Sequence, residues 1–163
     1  MTTARIVEAG VDDVADLLGF IRDLAKFEKL AHEVTATEQS LRETLFGPRK
    51  YAEAVFIEDE GERVGFAIFF HNYSTFLGRP GLYLEDLYVR SEKRGRGYGK
   101  LLLSHLAGLA VARGCGRMEW WVLDWNRGAI DFYRSLGAEP MSDWTVYRLS
   151  GDALERLASP AAD

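Results

Sequence analysis

One stretch, from Leu84 to Lys100, switches its chemistry twice and constrains the fold more than any other. Leu84-Glu85-Asp86-Leu87-Tyr88-Val89 reads as the end of a strand. A short charged turn follows, then Arg94-Gly95-Arg96-Gly97-Tyr98-Gly99-Lys100, and an apolar helix starts where that loop ends. Such a loop offers several backbone N–H groups at a helix N-terminus, beside two fixed positive charges, which suits a pyrophosphate. Glycine is needed there because side chains would hold the backbone away from the phosphates. Two other phosphate loops are excluded. A Walker loop needs Ser or Thr after the lysine, and Leu101 follows Lys100. A dinucleotide fingerprint needs a third glycine where Lys100 stands, and no acidic residue on a second strand is suitably placed.

The flanking patterns place this unit in a larger sheet. Residues 4–9 predict a first strand. A helix starts at Asp12-Asp13 and runs to about Leu30, with Val14, Leu17, Leu18, Ile21, Leu24 and Ala25 at helical spacing. Thr37 is a candidate cap for a second helix carrying Leu41, Leu45 and Phe46, which Gly47-Pro48 ends. Residues 52–58 and 63–71 predict a hairpin about Asp59-Glu60-Gly61-Glu62, and residues 82–90 the next strand. After the glycine loop, Leu102, Leu106, Leu109 and Ala110 share a helix face that Gly114 ends. Residues 117–123 predict another strand. Asn126 is a plausible cap for a helix ending at Gly137, followed by strands at 138–141 and 144–149. A last helix begins at Asp152, before a frayed tail, Pro160-Ala161-Ala162-Asp163. The order describes a mixed α/β domain with helices on both faces of the sheet.

At 163 residues the chain is long enough for one domain with a real core. Its formal net charge of −5 argues against nucleic acid as a partner and favours a cationic substrate. The first residues carry no apolar signal core, and no run approaches membrane-spanning length. The single cysteine, Cys115, cannot form an intrachain disulfide, so a reducing cytoplasm is the simplest location. His32, His71 and His105 lack metal-ligand spacing, and no metal site is expected.

The strand followed by R-G-x-G-x-G-K resembles the pyrophosphate loop of the GNAT N-acetyltransferases, which in that superfamily holds coenzyme A. Leu24-Ala25-Lys26-Phe27-Glu28 is similar to the first helix of one branch, the diamine (spermidine/spermine-type) and thialysine acetyltransferases. Leu82-Tyr83-Leu84-Glu85-Asp86 resembles the fourth strand of that branch. Trp125-Asn126, Ile130-Asp131-Phe132-Tyr133-Arg134 and Leu136-Gly137-Ala138 resemble its next helix and turn. The resemblance implies a GNAT fold over residues 1–163, with a largely antiparallel twisted sheet of about seven strands. It also implies acetyl transfer from acetyl-CoA directly to the primary amine of a small molecule. The amine would be a diamine, a polyamine, or a thialysine- or lysine-like side chain. Two other readings stay open: a protein lysine or N-terminus as acceptor, and a non-catalytic acyl-CoA sensor.

Transfer to an amine sets chemical requirements. A free alkyl ammonium has a pKa of roughly 10.4, so the site must remove a proton before attack. The departing thiolate is best protonated as it leaves, and a tyrosine with pKa about 10 still holds a proton at neutral pH. By resemblance Tyr133 is the acid, and Glu85 is the base or amine anchor. Glu85 and Asp86 are adjacent on a strand, so their side chains point to opposite faces and cannot form a close pair, and Asp86 is read as structural. The resemblance gives the backbone of Leu87, Tyr88 and Val89 to the pantetheine arm. Arg94, Gly95, Arg96, Gly97, Tyr98, Gly99 and Lys100 go to the pyrophosphate, and Asn126, Arg127, Gly128, Ala129 and Tyr133 to the rest of the cofactor. Phe27, Glu28, Ser74, Glu119, Trp120 and Trp121 match amine-side positions. Phe27 replaces a tyrosine common in the branch, and Ser74 stands where the polyamine enzymes carry an aspartate. The first change removes a hydroxyl, and the loss of the carboxylate at the second favours an amine with fewer positive charges. A homodimer is implied as well, with Trp144 and Tyr147 near the contact.

Overall fold

The computed structural model describes residues 3–159. The chain divides into two compact units, the first ending at Leu123 and the second beginning at Asp124. In the first, five strands lie in the order β1 (Arg5–Glu8), β2 (Glu53–Asp59), β3 (Glu62–Ser74), β4 (Arg79–Val89) and β5 (Met118–Trp120). Neighbours are antiparallel except β4 and β5, which are parallel. That exception follows from connectivity, because a helical crossover, α3 (Tyr98–Ala112), separates β4 from β5.

Helices cover both faces. α1 (Val14–Phe27) and α2 (Glu38–Phe46) set Val14, Leu17, Leu18, Phe20, Leu41 and Leu45 against Ala54, Phe56, Phe66, Ile68 and Tyr88. The Phe20 ring lies 5.9 Å from Phe56 and 5.4 Å from Phe66. Burying each such side chain contributes about 1.5–3 kcal/mol, more than local helix propensity does, so this packing fixes α1 on the sheet. On the opposite face, α3 carries the buried Leu102, Leu103, Leu106 and Ala110.

The local signals act as their chemistry requires. The Thr37 hydroxyl accepts from Ser40 N at the start of α2. Glu60 and Gly61, with φ of 51° and 81°, form the two-residue turn that suits strand twist between β2 and β3. α1 starts two residues later than expected, after a 3-10 turn at Val11–Asp13, and ends at Phe27, before the positive φ of Lys29.

The second unit holds α4 (Arg127–Ser135) and α5 (Gly151–Ala158). The Asn126 side chain caps α4 by accepting from Ala129 N at 3.3 Å, and Gly137 follows with φ 86°. The expectation of about seven strands is corrected to five among the described residues. Residues 138–141 and 144–149 form no strand, and β5 keeps three residues of the expected 117–123. Trp144-Thr145-Val146-Tyr147 has strong strand propensity, but a strand needs a paired neighbour, and this segment stays exposed. The expected tail, Pro160-Ala161-Ala162-Asp163, lies outside the described residues.

Candidate active site

The register of β3 against β4 shifts at one place. Phe69 stands opposite Leu84, and Ile68 stands opposite Asp86. Directly opposed residues share a face, and Ile68 and Phe69 are consecutive, so Leu84 and Asp86 lie on opposite faces. Glu85 is the extra residue of a β-bulge. The expectation that Glu85 and Asp86 are separated by an unbroken pleat is therefore corrected. Phe70 pairs with Tyr83, their rings 4.9 Å apart, so Tyr83, Asp86 and Tyr88 all look toward α1 with Glu85 bulged between them.

This arrangement sets the electrostatics. Asp86 is half-buried, and loss of water, then the charges of Glu85 and Glu28, push its carboxyl up to about 7. Burial also raises Glu28, at the C-terminus of α1. Tyr83 is pushed up to about 12 by burial, then by Glu85 and Glu119. Glu85 itself is exposed. A carboxyl titrating near neutrality can give and take a proton at working pH. Sequence reasoning left Asp86 as structural; the signal that would have found it is the bulge, which no local pattern announces.

β5 pairs with β4 only from Leu82 to Leu84, ending at Trp120, whereas β4 continues to Val89. Beyond Leu84 no described strand pairs with that edge of β4, so the segment Leu87-Tyr88-Val89 borders an opening, with the Val89 carbonyl already accepting from Arg94 Nε at 3.0 Å. The glycine loop lies just past it. Gly95 and Gly97 have φ of 77° and 83°, and a Cβ at either would meet nothing within 4 Å, so conformation rather than crowding demands glycine. Gly97 is the N-cap of α3, and no side chain caps the helix. The first-turn amides of Tyr98, Gly99 and Lys100 are thus left to an outside acceptor.

Carboxylates of the β2–β3 turn flank this loop. The Tyr98 hydroxyl, buried, donates to Asp59 Oδ2, and Thr3 Oγ1 donates to Asp59 Oδ1. These two bonds hold the Asp59 carboxyl below its usual range. Glu62 takes Lys93 at 2.6 Å and Arg90 at 3.0 Å.

A strand edge opening beside an uncapped, glycine-lined helix start coincides with a sequence match. The Acetyltransferase (GNAT) family model matches residues 19–138. The chain belongs to the GNAT acetyltransferase family. It is 37% identical over 169 residues to the thialysine N-epsilon-acetyltransferase of Mus musculus, covering 97% of this chain and 99% of that protein. It is 35% identical over 199 residues to the L-ornithine N5-acetyltransferase of Arabidopsis thaliana, covering 94% and 87%. Among solved structures, an integron cassette protein from the mobile metagenome of V. cholerae superposes with a TM-score of 0.82 at 26% identity, covering 98% of this chain and all of that one. The protein is an enzyme of the acyltransferase class, from the branch that the sequence resembles.

The remaining residues of this GNAT acetyltransferase fall as follows. Phe27 and Glu28 close α1 beside β4, with the Phe27 ring 6.4 Å from Tyr88. Ser74 is buried and its hydroxyl accepts from Leu77 N, so it shapes the β3–β4 turn. Glu119 accepts from Asn72 Nδ2 at 3.2 Å and pairs with Arg117 at 2.9 Å. Trp120 stands opposite Leu84 at the end of β5. Trp121 is 59% exposed and meets the Tyr83 ring edge-on at 6.0 Å. Arg96 and Lys100 are exposed on the loop. In the second unit, Asn126, Arg127, Gly128 and Ala129 make the start of α4, and Tyr133 is half-buried one turn on, 5.7 Å from the Phe132 ring.

Proposed function

We propose that this enzyme transfers the acetyl group of acetyl-CoA directly to a primary amine of a small molecule, with residues 1–163 acting as one domain. The observation that carries the proposal is the opening of β4 from β5 immediately before the uncapped N-terminus of α3. The residues present fit the donor. Unpaired strand backbone accepts an extended amide-bearing arm as an added strand would, and open amides between positive-φ glycines accept a diphosphate. On this reading Leu87, Tyr88 and Val89 hold the pantetheine arm. The loop from Arg94 through Gly95, Arg96, Gly97, Tyr98 and Gly99 to Lys100 holds the pyrophosphate. For Arg94 and Tyr98 the contact is through the backbone alone, since their side chains are engaged with the Val89 carbonyl and with Asp59. The family resemblance assigns Asn126, Arg127, Gly128 and Ala129 to the pantetheine. Bound there, acetyl-CoA supplies a thioester carbonyl open to attack by a neutral amine.

Glu85, exposed on the bulge, removes the ammonium proton directly or through water, and Asp86 lies close enough to be electrostatically coupled to it. Glu28 adds negative charge that draws the cation. Phe27 and Trp121 offer aromatic faces to it. Tyr133 holds a proton at its hydroxyl for the departing sulfur.

The amine is proposed to be the side-chain amine of an amino acid such as thialysine, ornithine or lysine, rather than a polyamine. The named relatives act on thialysine and ornithine. Ser74 is an uncharged turn residue where a polyamine site would need a second carboxylate. Thiol release from acetyl-CoA with putrescine, spermidine, spermine, thialysine, ornithine, lysine and a lysine peptide tests this. Preference for the amino acids supports the reading, and preference for spermidine or the peptide overturns the amine assignment. A cytoplasmic location is proposed from the unpaired Cys115; no described helix is long and apolar enough to cross a membrane. A homodimer is proposed because Trp144 and Tyr147 are 76% and 93% exposed on a segment with strand propensity and no partner strand; sedimentation equilibrium decides it.

A further inference from the structure

Arg94 opens the glycine loop, yet its side chain does not follow the loop. Its Nε donates to the carbonyl of Val89 at 3.0 Å. Its guanidinium carbon lies 4.3 Å from the centroid of the Phe27 ring and 5.3 Å from that of Tyr88. Phe27 is the last residue of α1, and Glu28, which follows it, is one of the two charges acting on Asp86. A planar guanidinium can stack on rings while donating in its own plane. An ammonium is a point charge and cannot do both at one site. The loop's first cation, although exposed, is therefore engaged with the wall beside the carboxylates.

We propose that Arg94 is a positioning residue for the acceptor side of the site: by joining the Val89 carbonyl to the Phe27 and Tyr88 rings, it fixes the last turn of α1, with Glu28, against β4 beside Asp86. The kinetic consequence rests on the acetyl-transfer reading above; the structural one does not. Arg94 connects the donor loop to the amine pocket, so disturbing it is felt at the pocket.

The test compares Arg94→Lys and Arg94→Met with Arg96→Met. Each is measured for amine KM, for CoA dissociation constant by calorimetry, and for hydrogen exchange of the amides from 24 to 30. Both Arg94 variants are expected to raise the amine KM by about fivefold or more, the scale of a lost cation–π contact with its hydrogen bond. They also speed exchange at the end of α1 and leave CoA affinity within about twofold, whereas Arg96→Met weakens CoA. Weakened CoA binding with unchanged amine KM and unchanged exchange would make Arg94 a phosphate ligand and overturn the proposal. Parent-like behaviour of Arg94→Lys overturns the requirement for a planar fork. Should the parent acetylate no amine, the functional reading falls, and the exchange and calorimetry still decide the role of Arg94.

Discussion

Leu84 and Asp86 are two residues apart on one strand and point to opposite faces of the sheet. In a regular strand they would share a face. The single residue between them, Glu85, absorbs the difference, and the bulge turns a buried hydrophobic row into a row of carboxylates within three positions. β4 is a core strand at Leu82 and Leu84 and again at Tyr88 and Val89, and the two carboxylates interrupt it between them.

The raised carboxyl of Asp86 predicts a specific pH dependence of stability. Its folded-state value is about 7, against 3.8 for the free group. The folded protein therefore binds the extra proton between those values. The contribution of Asp86 to stability is present below pH 4 and lost as pH rises through 7, by on the order of 4 kcal/mol at most. Asp13, Glu53, Asp59 and Glu62 are all shifted down and act in the opposite sense on acidification, so the measurement must be a difference. Asp86→Asn is expected to gain Tm relative to the parent at pH 8 and to lose that gain toward pH 4. An equal offset at both pH values sinks the assignment.

Tyr133→Phe is expected to lower kcat by about 10²-fold or more, the usual size of a general-acid contribution, and to leave CoA affinity within about twofold. Steady-state kinetics beside calorimetry checks it. Unchanged turnover removes Tyr133 from the acid role.

Gly97→Ala and Gly108→Ala lie on the same helix and should move stability in opposite directions. At Gly97 the φ of 83° costs an alanine about 1–2 kcal/mol, although a Cβ there touches nothing. At Gly108, inside α3, a Cβ is also in open space, and alanine gains about 0.5–1 kcal/mol. Gly97→Ala alone should also weaken CoA binding. Thermal melts and a CoA titration on both variants check this, and equal effects at the two sites would refute the conformational account of the loop.

The rate of acetyl transfer is expected to climb from about pH 7 toward pH 9, because the neutral fraction of an alkyl amine with pKa of roughly 10.4 grows in that range. A pH profile of kcat/KM at saturating acetyl-CoA tests it. A flat profile shows that deprotonation of the amine does not limit the reaction.

Elements set by chemistry within a few residues were legible in the sequence. Thr37 capping α2, the two-residue turn at Glu60-Gly61 and the stops at Gly114 and Gly137 each depend on one side chain or one φ. The glycine loop was legible for the same reason, and it led to the family. Features that depend on register or on distant partners were not. The period of two predicts opposite faces for Glu85 and Asp86 only while the ladder is unbroken, and the bulge is set by how β3 meets β4. The Tyr98–Asp59 bond spans 39 residues, and Arg94 and Phe27 lie further apart still along the chain. Residues 144–149 show the converse: propensity was read correctly, and the strand does not form without a partner.

β4 outruns β5 by five residues, and a strand edge without a partner strand is a template for any passing strand, not only for the pantetheine arm proposed above. The donor is then also a chaperone of the sheet. On the proposed reading the bound donor blunts this edge, so the enzyme starved of acetyl-CoA is the form more exposed to aberrant strand pairing.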